Sequence, residues 1–176
     1  MRFFAALIGA LALAPVSSLA VLAHDIPPEY IAAIKRSEGY SAQAYPDVRQ
    51  WSIGWGTKAR YPGEVIDEKE AELRFRAELS AAAEIVDGIN PNLDIGTRAA
   101  LISLTFNAGS AWVSAGLGDA IRRHELGPAQ DLFLLYTKSN GRDLDGLIIR
   151  RRQEATWFAT YRRECRMTDG QVGVMR

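Results

Sequence analysis

Hydrophobic and polar positions recur with two different periods along this chain, which predicts helices in some stretches and short strands in others. Ile31 and Ile34 follow a proline pair at helical spacing, and Gly39 comes after them, so a first helix is predicted to end at Gly39. Residues 43–66 instead place aromatic and β-branched side chains between glycines and polar residues, which is typical of short strands and tight turns. The chain therefore begins as helix and then changes to sheet.

Further apolar stretches with helical spacing follow the predicted sheet. Asp67 with Glu70 three positions later has the pattern of a capping box, so a long helix is predicted to begin there. Other helices are predicted at 95–106, 129–136 and 147–161, with short helices around 109–118 and a turn-rich segment at 139–146. We expect an α+β fold that is predominantly α, with one small sheet near the N-terminus.

The first 23 residues differ in composition from the rest. Arg2 is followed by an uncharged apolar stretch that ends in small residues, which is typical of an export signal. Residues 3–23 are also about long enough to span a bilayer, so a retained inner-membrane segment is the alternative. Both alternatives place the protein in the periplasm or outside the cell. Residues 24–163 are predicted to form one domain, and the polar residues 164–176 a flexible tail.

Composition excludes several classes of partner and cofactor. Lys plus Arg and Asp plus Glu both total 21, so the chain lacks the excess positive charge of a nucleic-acid binder. A single cysteine cannot form an internal disulfide, and two histidines without a cysteine cluster predict no metal site. We expect a monomer without a metal or other cofactor.

One acidic residue falls on the apolar face of the first predicted helix. Glu38 shares that face with Ile31 and Ile34, so its side chain is predicted to point inward or into a cleft at the last helical turn. Desolvation and the negative end of the helix dipole both disfavour the charged form there. A carboxyl group that keeps its proton is suited to general acid catalysis. The alternative is a surface residue that ends the helix or pairs with an arginine.

The predicted hairpin adds a second carboxylate. Strands at 43–45 and 51–56, joined by a turn at 46–50, fold back toward the end of the first helix. Asp47 and Ser52 are therefore expected at the mouth of the same cleft as Glu38. Two carboxylates on either side of a gap are the usual catalytic groups of glycoside hydrolases. The Pro-Asp pair is also common turn chemistry, so a structural role for Asp47 is the alternative.

Several segments together resemble the phage-type lysozymes, glycoside hydrolase family 24. They occur in the family's order: SEGY at 37–40, AYPD at 44–47, WSIGWGT at 51–57, EVIDEKEAE at 64–72, ALISLTFNAG at 100–109 and GLIIRRRQE at 146–154. The resemblance extends over about residues 30–158. It implies a lysozyme-like fold, with a small hairpin lobe, a helical lobe and a cleft between them.

The resemblance also implies catalytic roles. Glu38 falls at the position of the catalytic acid, and Asp47 at that of the second carboxylate with the same nine-residue spacing. Ser52 takes the place of a threonine that helps to hold the attacking water. It follows Asp47 by five positions where the family commonly has six, and Thr57 stands where a histidine is usual. The serine and the shorter spacing differ from the family pattern at the site and leave the catalytic efficiency open.

Substrate-binding positions follow from the same resemblance. Phe106 and Asn107 match residues at the back of the sugar-binding cleft, and Arg150, or alternatively Arg151, matches the arginine that approaches the catalytic glutamate. Tyr45 is expected at the sugar as well. It, Trp51 and Trp55 are predicted either to stack on sugar rings or to form the core of the small sheet.

The implied function is that of a muramidase. The resemblance predicts hydrolysis of the β-1,4 bond between N-acetylmuramic acid and N-acetylglucosamine in peptidoglycan, with inversion favoured. Its glycan strands are then the partner, and its use is host lysis or local remodelling of the cell wall. Two alternatives remain at this point: a weakly active or inactive peptidoglycan-binding scaffold module, and a lytic transglycosylase, which also uses one glutamate.

Overall fold

A computed structural model describes residues 26–47 and 50–159 of the chain. The predicted signal or membrane segment at 1–23 and the predicted tail at 164–176 lie outside these residues. The helices are α1 (Pro28–Glu38), α2 (Glu68–Ile89), α3 (Ile95–Ala108), α4 (Gly116–Arg122), α5 (Leu126–Phe133) and α6 (Asp145–Ala155), with a 3-10 turn at Ala111–Ser114. Two small antiparallel sheets complete the described part, which confirms the α+β, mainly helical prediction. None of its helices combines the length and the apolar character needed to cross a membrane.

The first sheet has longer strands than the sequence pattern predicts. It consists of β1 (Ser41–Asp47), β2 (Gln50–Gly54) and β3 (Thr57–Lys58) in that order. Pairing continues to Asp47 opposite Gln50, so Pro46, Asp47 and Gln50 belong to strands and not to the expected five-residue turn. Pro46 is accommodated opposite Trp51 because β1 lies at the sheet edge, where a missing backbone N–H is tolerated.

Neighbouring residues explain where the helices begin, and some boundaries differ from the predicted ones. The carboxylate of Asp67 accepts a hydrogen bond of 2.7 Å from the backbone N–H of Glu70, which confirms the predicted cap of α2. Helix α5 begins three residues earlier than expected because Pro128 fits in the first turn, where its missing N–H is not needed. The turn-rich segment contains a second hairpin, β4 (Lys138–Ser139) and β5 (Arg142–Asp143), around an Asn-Gly turn.

Helix α3 forms the centre of the molecule, since it is apolar on most of its surface and its residues from Gly96 to Thr105 are nearly all buried. Helix α2 packs along it and also contacts β2 and β3, while α6 packs against α3 on the other side. The sheet and the helices after α3 are therefore joined by α2 and α3. A cleft lies between the first sheet, the C-terminal end of α3 and the beginning of α6.

Candidate active site

Glu38 is the last residue of α1 and its side chain is only 14% exposed. Its inward direction follows from Ile34, which lies one turn earlier on the same face and is fully buried. Arg150 on α6 donates a 2.6 Å hydrogen bond from Nη1 to Glu38 Oε1. The neighbouring Arg151 does not make this contact, and Arg152 faces solvent. The first and last described helices therefore meet at this carboxylate.

Arg150 connects Glu38 to a second buried acid. Its Nε donates to Glu154 Oε1 at 2.9 Å, and its Nη2 donates to the Ser103 hydroxyl at 3.1 Å. Ser103 in turn donates to Glu154. Burial lowers the pKa of Arg150, but the negative charges of Glu38 and Glu154 outweigh burial and place that pKa above its ordinary value. The guanidinium is therefore held charged between two carboxylates.

Arg151 extends the same group of charges toward the cleft. It is fully buried, donates from Nη1 to Glu154 Oε2, and donates from Nη2 to Asn107 Oδ1 at 2.6 Å. Burial is the main cause that lowers the pKa of Arg151 to about 10. We call Glu38, Arg150, Arg151 and Glu154 the inner ion network. It carries two positive and two negative charges and ends at two cleft residues, Glu38 and Asn107.

The second predicted carboxylate is held by the hairpin. Asp47 is the last residue of β1, and Ser52 on β2 donates from its hydroxyl to Asp47 Oδ2 at 3.1 Å. Ser52 is itself fully buried and accepts from Gln50 Nε2 at 3.3 Å. It therefore lies beneath Asp47 and orients that carboxylate, instead of reaching the cleft mouth as expected. The side chain that borders the cavity next to Asp47 is Gln50.

Five of the predicted site residues border one polar cavity of about 340 Å³. They are Glu38, Tyr45, Asp47, Phe106 and Asn107. Burial, followed by the charges of Asp47 and Glu38, raises the pKa of the Tyr45 hydroxyl, while a hydrogen bond with Ser52 lowers it. Tyr45 is thus close to both carboxylates. Trp55 packs in the core between Tyr40 and Phe75, and Trp51 is exposed on the sheet.

Two acids in or near the cleft were missed by reasoning from the sequence, Glu78 and Glu154. Glu78 on α2 borders the same cavity and accepts a hydrogen bond of 3.4 Å from the backbone N–H of Lys58. Burial, with a further contribution from the charge of Glu38, raises the pKa of Glu78. Its spacing of three from Phe75 places it beside the buried face of α2, and this was the available signal. The role of Glu154 had a similar signal, since it follows Arg150 by one helical turn.

Gly56 borders the same cavity beside Glu38. Its φ is +79°, and a Cβ atom at this position would lie 3.0 Å from Glu38 Oε2. Oε1 of Glu38 therefore faces Arg150, while Oε2 faces the narrow space beside Gly56. Within residues 26–47 and 50–159, no group of three histidine, cysteine, aspartate or glutamate side chains is arranged to hold a metal ion.

Comparison with known protein sequences identifies phage lysozymes and endolysins as relatives of this chain. The profile of the family described as Phage lysozyme matches residues 35–154. The endolysin of Bacillus phage B103 is 33% identical over 137 residues, covering 72% of this chain and 51% of that protein. The endolysin of Bacillus phage PZA is 32% identical over 135 residues, covering 71% and 51%. The chain spans about half the length of the curated relatives that it matches.

Solved structures show the same fold. The muramidase domain of SpmX from Asticaccaulis excentricus matches with a TM-score of 0.68 and 25% identity, covering 76% of this chain and 97% of that domain. A mutant of P22 lysozyme matches with a TM-score of 0.63 and 28% identity, covering 76% and 97%. The active form of P1 phage endolysin Lyz has a TM-score of 0.70 at 19% identity, covering 78% and 86%, and supports the fold alone.

Proposed function

This chain belongs to the phage lysozyme family, and on that premise we propose that it is a peptidoglycan hydrolase that acts as a muramidase. It cleaves the β-1,4 bond between N-acetylmuramic acid and N-acetylglucosamine. One observation carries the proposal: Glu38, fixed by Arg150, borders the same 340 Å³ polar cavity as Asp47. A glycoside hydrolase needs such a pair of carboxyl groups on a sugar-sized space.

The proposed mechanism divides the chemistry between the two acids. In the protonated form that this mechanism requires, Arg150 holds Oε1 of Glu38 and the proton is on Oε2. Glu38 transfers that proton to the glycosidic oxygen, and the bond from this oxygen to C1 of the muramic acid breaks. Positive charge develops on the sugar ring, where the Asp47 carboxylate stabilises it. Water then adds to C1 and gives a proton to Asp47, which Ser52 orients from below.

Inversion is the expected stereochemical course. An inverting enzyme leaves room for water between its carboxyl groups, whereas a retaining enzyme uses the second carboxylate as a nucleophile. Proton NMR of a cleaved glycan, recorded within minutes of mixing, shows the anomeric form of the first product. An α-anomer supports water activated by Asp47, and a β-anomer would assign Asp47 as the nucleophile.

The proposed substrate lies outside the cytoplasm. Export through residues 1–23, by a cleaved signal or a retained segment, brings the enzyme to the wall. The curated relatives are endolysins of phages, which supports lysis of a host as one use. A muramidase domain is among the structural relatives. Local remodelling of the wall is the other proposed use.

Zymography on peptidoglycan gels tests the catalytic assignment. The full chain should clear the gel, while Glu38→Gln should reduce clearing to background and Asp47→Asn should reduce it strongly. Glu84→Gln is the matched control, because Glu84 is exposed on α2 and lies outside the cavity lining. Equal clearing by Glu38→Gln and the wild type would disprove the role of Glu38.

Two alternative functions would give different experimental results. The buried position of Ser52 and its five-residue spacing from Asp47 are the features that permit a scaffold module with little turnover. Binding to sacculi without any release of fragments by the wild type would favour that module. Mass spectrometry of released fragments distinguishes hydrolysis, which leaves a reducing end, from a lytic transglycosylase, which leaves an anhydro sugar.

A further inference from the structure

The register of the first hairpin decides which side chain lies opposite Asp47. Asp47 on β1 pairs with Gln50 on β2, and Tyr45 pairs with Ser52. Side chains of residues directly opposite in antiparallel strands lie on the same face of the sheet, and so do those of residues two positions apart in one strand. The four side chains therefore share one face. On it, the direct neighbour of Asp47 across the strands is Gln50 and not Ser52.

The hydroxyl group of Ser52 is already used by the protein. A serine hydroxyl has one hydrogen to donate, and Ser52 donates it to Asp47 Oδ2, since a carboxylate offers only acceptors. Its oxygen accepts from Gln50 Nε2, and full burial separates the group from the cleft. The residue that matches the water-holding threonine of the family therefore does not reach the attacking water.

The same hydroxyl orients the amide of Gln50. Because the hydrogen of Ser52 is directed to Asp47, Ser52 can only accept from Gln50, so Nε2 faces Ser52 at 3.3 Å. The amide oxygen Oε1 then faces away from Ser52. No side chain in residues 26–47 and 50–159 donates a hydrogen bond to Oε1. Gln50 therefore offers an acceptor where it borders the cavity, beside the carboxylate of Asp47.

Asp47 and Gln50 lie where two parts of the cleft meet. A cavity of about 580 Å³ adjoins the 340 Å³ cavity at Glu38. Of the described residues that line these cavities, only Asp47, Gln50 and Asn107 border both. A glycan that passes from one cavity into the other must therefore run past the carboxylate of Asp47 and the amide of Gln50.

Two acceptors side by side suit a water molecule that attacks a sugar. A water that donates one hydrogen to Asp47 and the other to Gln50 Oε1 keeps both lone pairs free for bond formation. A hydroxyl group that donated to the water would instead occupy one of those lone pairs. The neutral amide also adds no charge to a cavity that already has the carboxyl groups of Glu38, Asp47 and Glu78.

We propose that Gln50 is a catalytic residue whose amide oxygen, together with Asp47, holds the attacking water. Glu38 gives its proton to the leaving oxygen, the bond from that oxygen to C1 breaks, and the water oxygen bonds to C1. One water hydrogen passes to Asp47 as a proton, and the other stays on the new hydroxyl group as the hydrogen bonded to Gln50 Oε1. Ser52 is a positioning residue that orients both side chains. This inference rests on the proposed function, since it names a group that directs the nucleophile of the same reaction.

Gln50→Met removes the acceptor and keeps about the same side-chain length. On a soluble tetrasaccharide of peptidoglycan with its peptide stems, kcat should fall about tenfold to a hundredfold with KM nearly unchanged, because the water and not the sugar loses a partner. Gln43→Met is the matched control, since Gln43 is exposed on β1 and lines neither cavity. Its kcat should equal that of the wild type. An unchanged kcat in Gln50→Met, or a raised KM alone, would overturn the inference.

Methanol as a competing nucleophile distinguishes contact with the water from mere support of Ser52. Methanol has one O–H hydrogen, so it cannot donate to Asp47 and to Gln50 Oε1 together. In dilute methanol the wild type should release fragments with a reducing end and almost no methyl glycoside. Gln50→Met should form at least about tenfold more methyl glycoside relative to hydrolysis, since only Asp47 then needs a hydrogen. Equal proportions in both proteins, measured by mass spectrometry, would refute the proposal.

Crystal structures provide a result that does not depend on turnover. The wild type should hold a water within about 3.2 Å of both Asp47 and Gln50 Oε1, and Gln50→Met should lack it while Asp47 and Ser52 keep their contact. If the wild type holds this water but releases no peptidoglycan fragments, the proposed function fails and the water site is supported. If the wild type and Gln50→Met hydrolyse peptidoglycan equally and neither holds this water, only the inference fails.

Discussion

Two groups of four charged residues in this molecule have the same net charge but different surroundings. The inner ion network joins α1 to α6, and its side chains are 0 to 14% exposed. The outer ion network, formed by Arg60, Glu64, Glu70 and Arg74, ties the segment after β3 to α2. There, Glu64 and Arg74 are largely buried, but Arg60 is 68% and Glu70 36% exposed. The inner network ends at groups of the cleft, whereas the outer one ends in solvent.

This difference shows how burial changes what an ion pair does. An exposed pair contributes little stability, because water and salt screen it. A buried pair gains little net stability over apolar packing, but removal of one partner leaves an uncompensated charge and is costly. The inner network therefore holds Glu38 and Asn107 in fixed orientations. The outer network only fastens a loop.

Removal of one acid from each network should give the largest difference in unfolding free energy between matched variants. Glu154→Gln leaves two buried guanidinium groups without their shared carboxylate, which should cost about 3–5 kcal/mol of unfolding free energy. Glu70→Gln, the matched change in the outer network, should cost at most about 1 kcal/mol. Urea unfolding followed by circular dichroism measures both. Similar costs for the two variants would remove the distinction between the networks.

Replacement of the central arginine in each network should separate activity from stability. Lysine cannot contact three partners with a planar fork, so Arg150→Lys should misplace Glu38 and lower peptidoglycan hydrolysis by about tenfold to a hundredfold. Arg74→Lys loses a comparable forked contact with Glu64 and should leave the rate unchanged. Turbidity assays on purified cell walls compare the rates. A matching loss of rate in Arg74→Lys would show that the effect is indirect.

Two glycines with the same φ of +79° allow a narrower comparison. Alanine in this conformation costs about 1–2 kcal/mol, so Gly56→Ala and Gly63→Ala should be destabilised alike. A Cβ at Gly63 meets nothing within 4 Å, whereas a Cβ at Gly56 presses on Glu38 Oε2. Only Gly56→Ala should therefore lose hydrolytic activity, by about tenfold. Melting temperatures of the two variants test the equal loss of stability, and their hydrolysis rates test the unequal loss of activity.

Acid pH should weaken the outer network through Glu64. Hydrogen bonds from Arg74 and from the backbone N–H of Arg60 lower the pKa of Glu64 from 4.5 to about 2. The stability that this carboxylate contributes is thus fully present above pH 4.5 and is lost as pH falls from 4.5 toward 2. The melting temperature of Glu64→Gln should be below that of the wild type at pH 6, and the difference should shrink toward pH 2. A constant difference across this range would contradict the prediction.

Local patterns predicted the elements and the positions of the two carboxylates. The cap at Asp67, the first helix and the first hairpin each depend on neighbours within a few residues, so one sequence was enough to place them. The second hairpin was also within reach, because Asn140-Gly141 is a strong turn signal that was interpreted only as a loop. Helix α5 begins before the predicted start at residue 129, because Pro128 lies in its first turn, where proline is tolerated.

Long-range side-chain contacts were beyond local reasoning. Nothing near Asn107 indicates that Arg151 fixes its amide, because the two residues lie 44 positions apart. The burial of Ser52 depends on how the hairpin packs, and a one-residue change of strand register would have turned it outward. Family resemblance predicted the contact between Arg150 and Glu38. It did not predict that Arg150 also donates a hydrogen bond to a second acid, Glu154.

The contact between Glu38 and Arg150 joins residues 112 positions apart. A ribosome delivers α1 and the hairpin well before it delivers α6. Until then the growing polypeptide has both carboxylates but not the cation that orients one of them. The order of synthesis therefore delays the pairing of Glu38 with Arg150 until α6 has emerged, and any fragment cut before α6 lacks this pair.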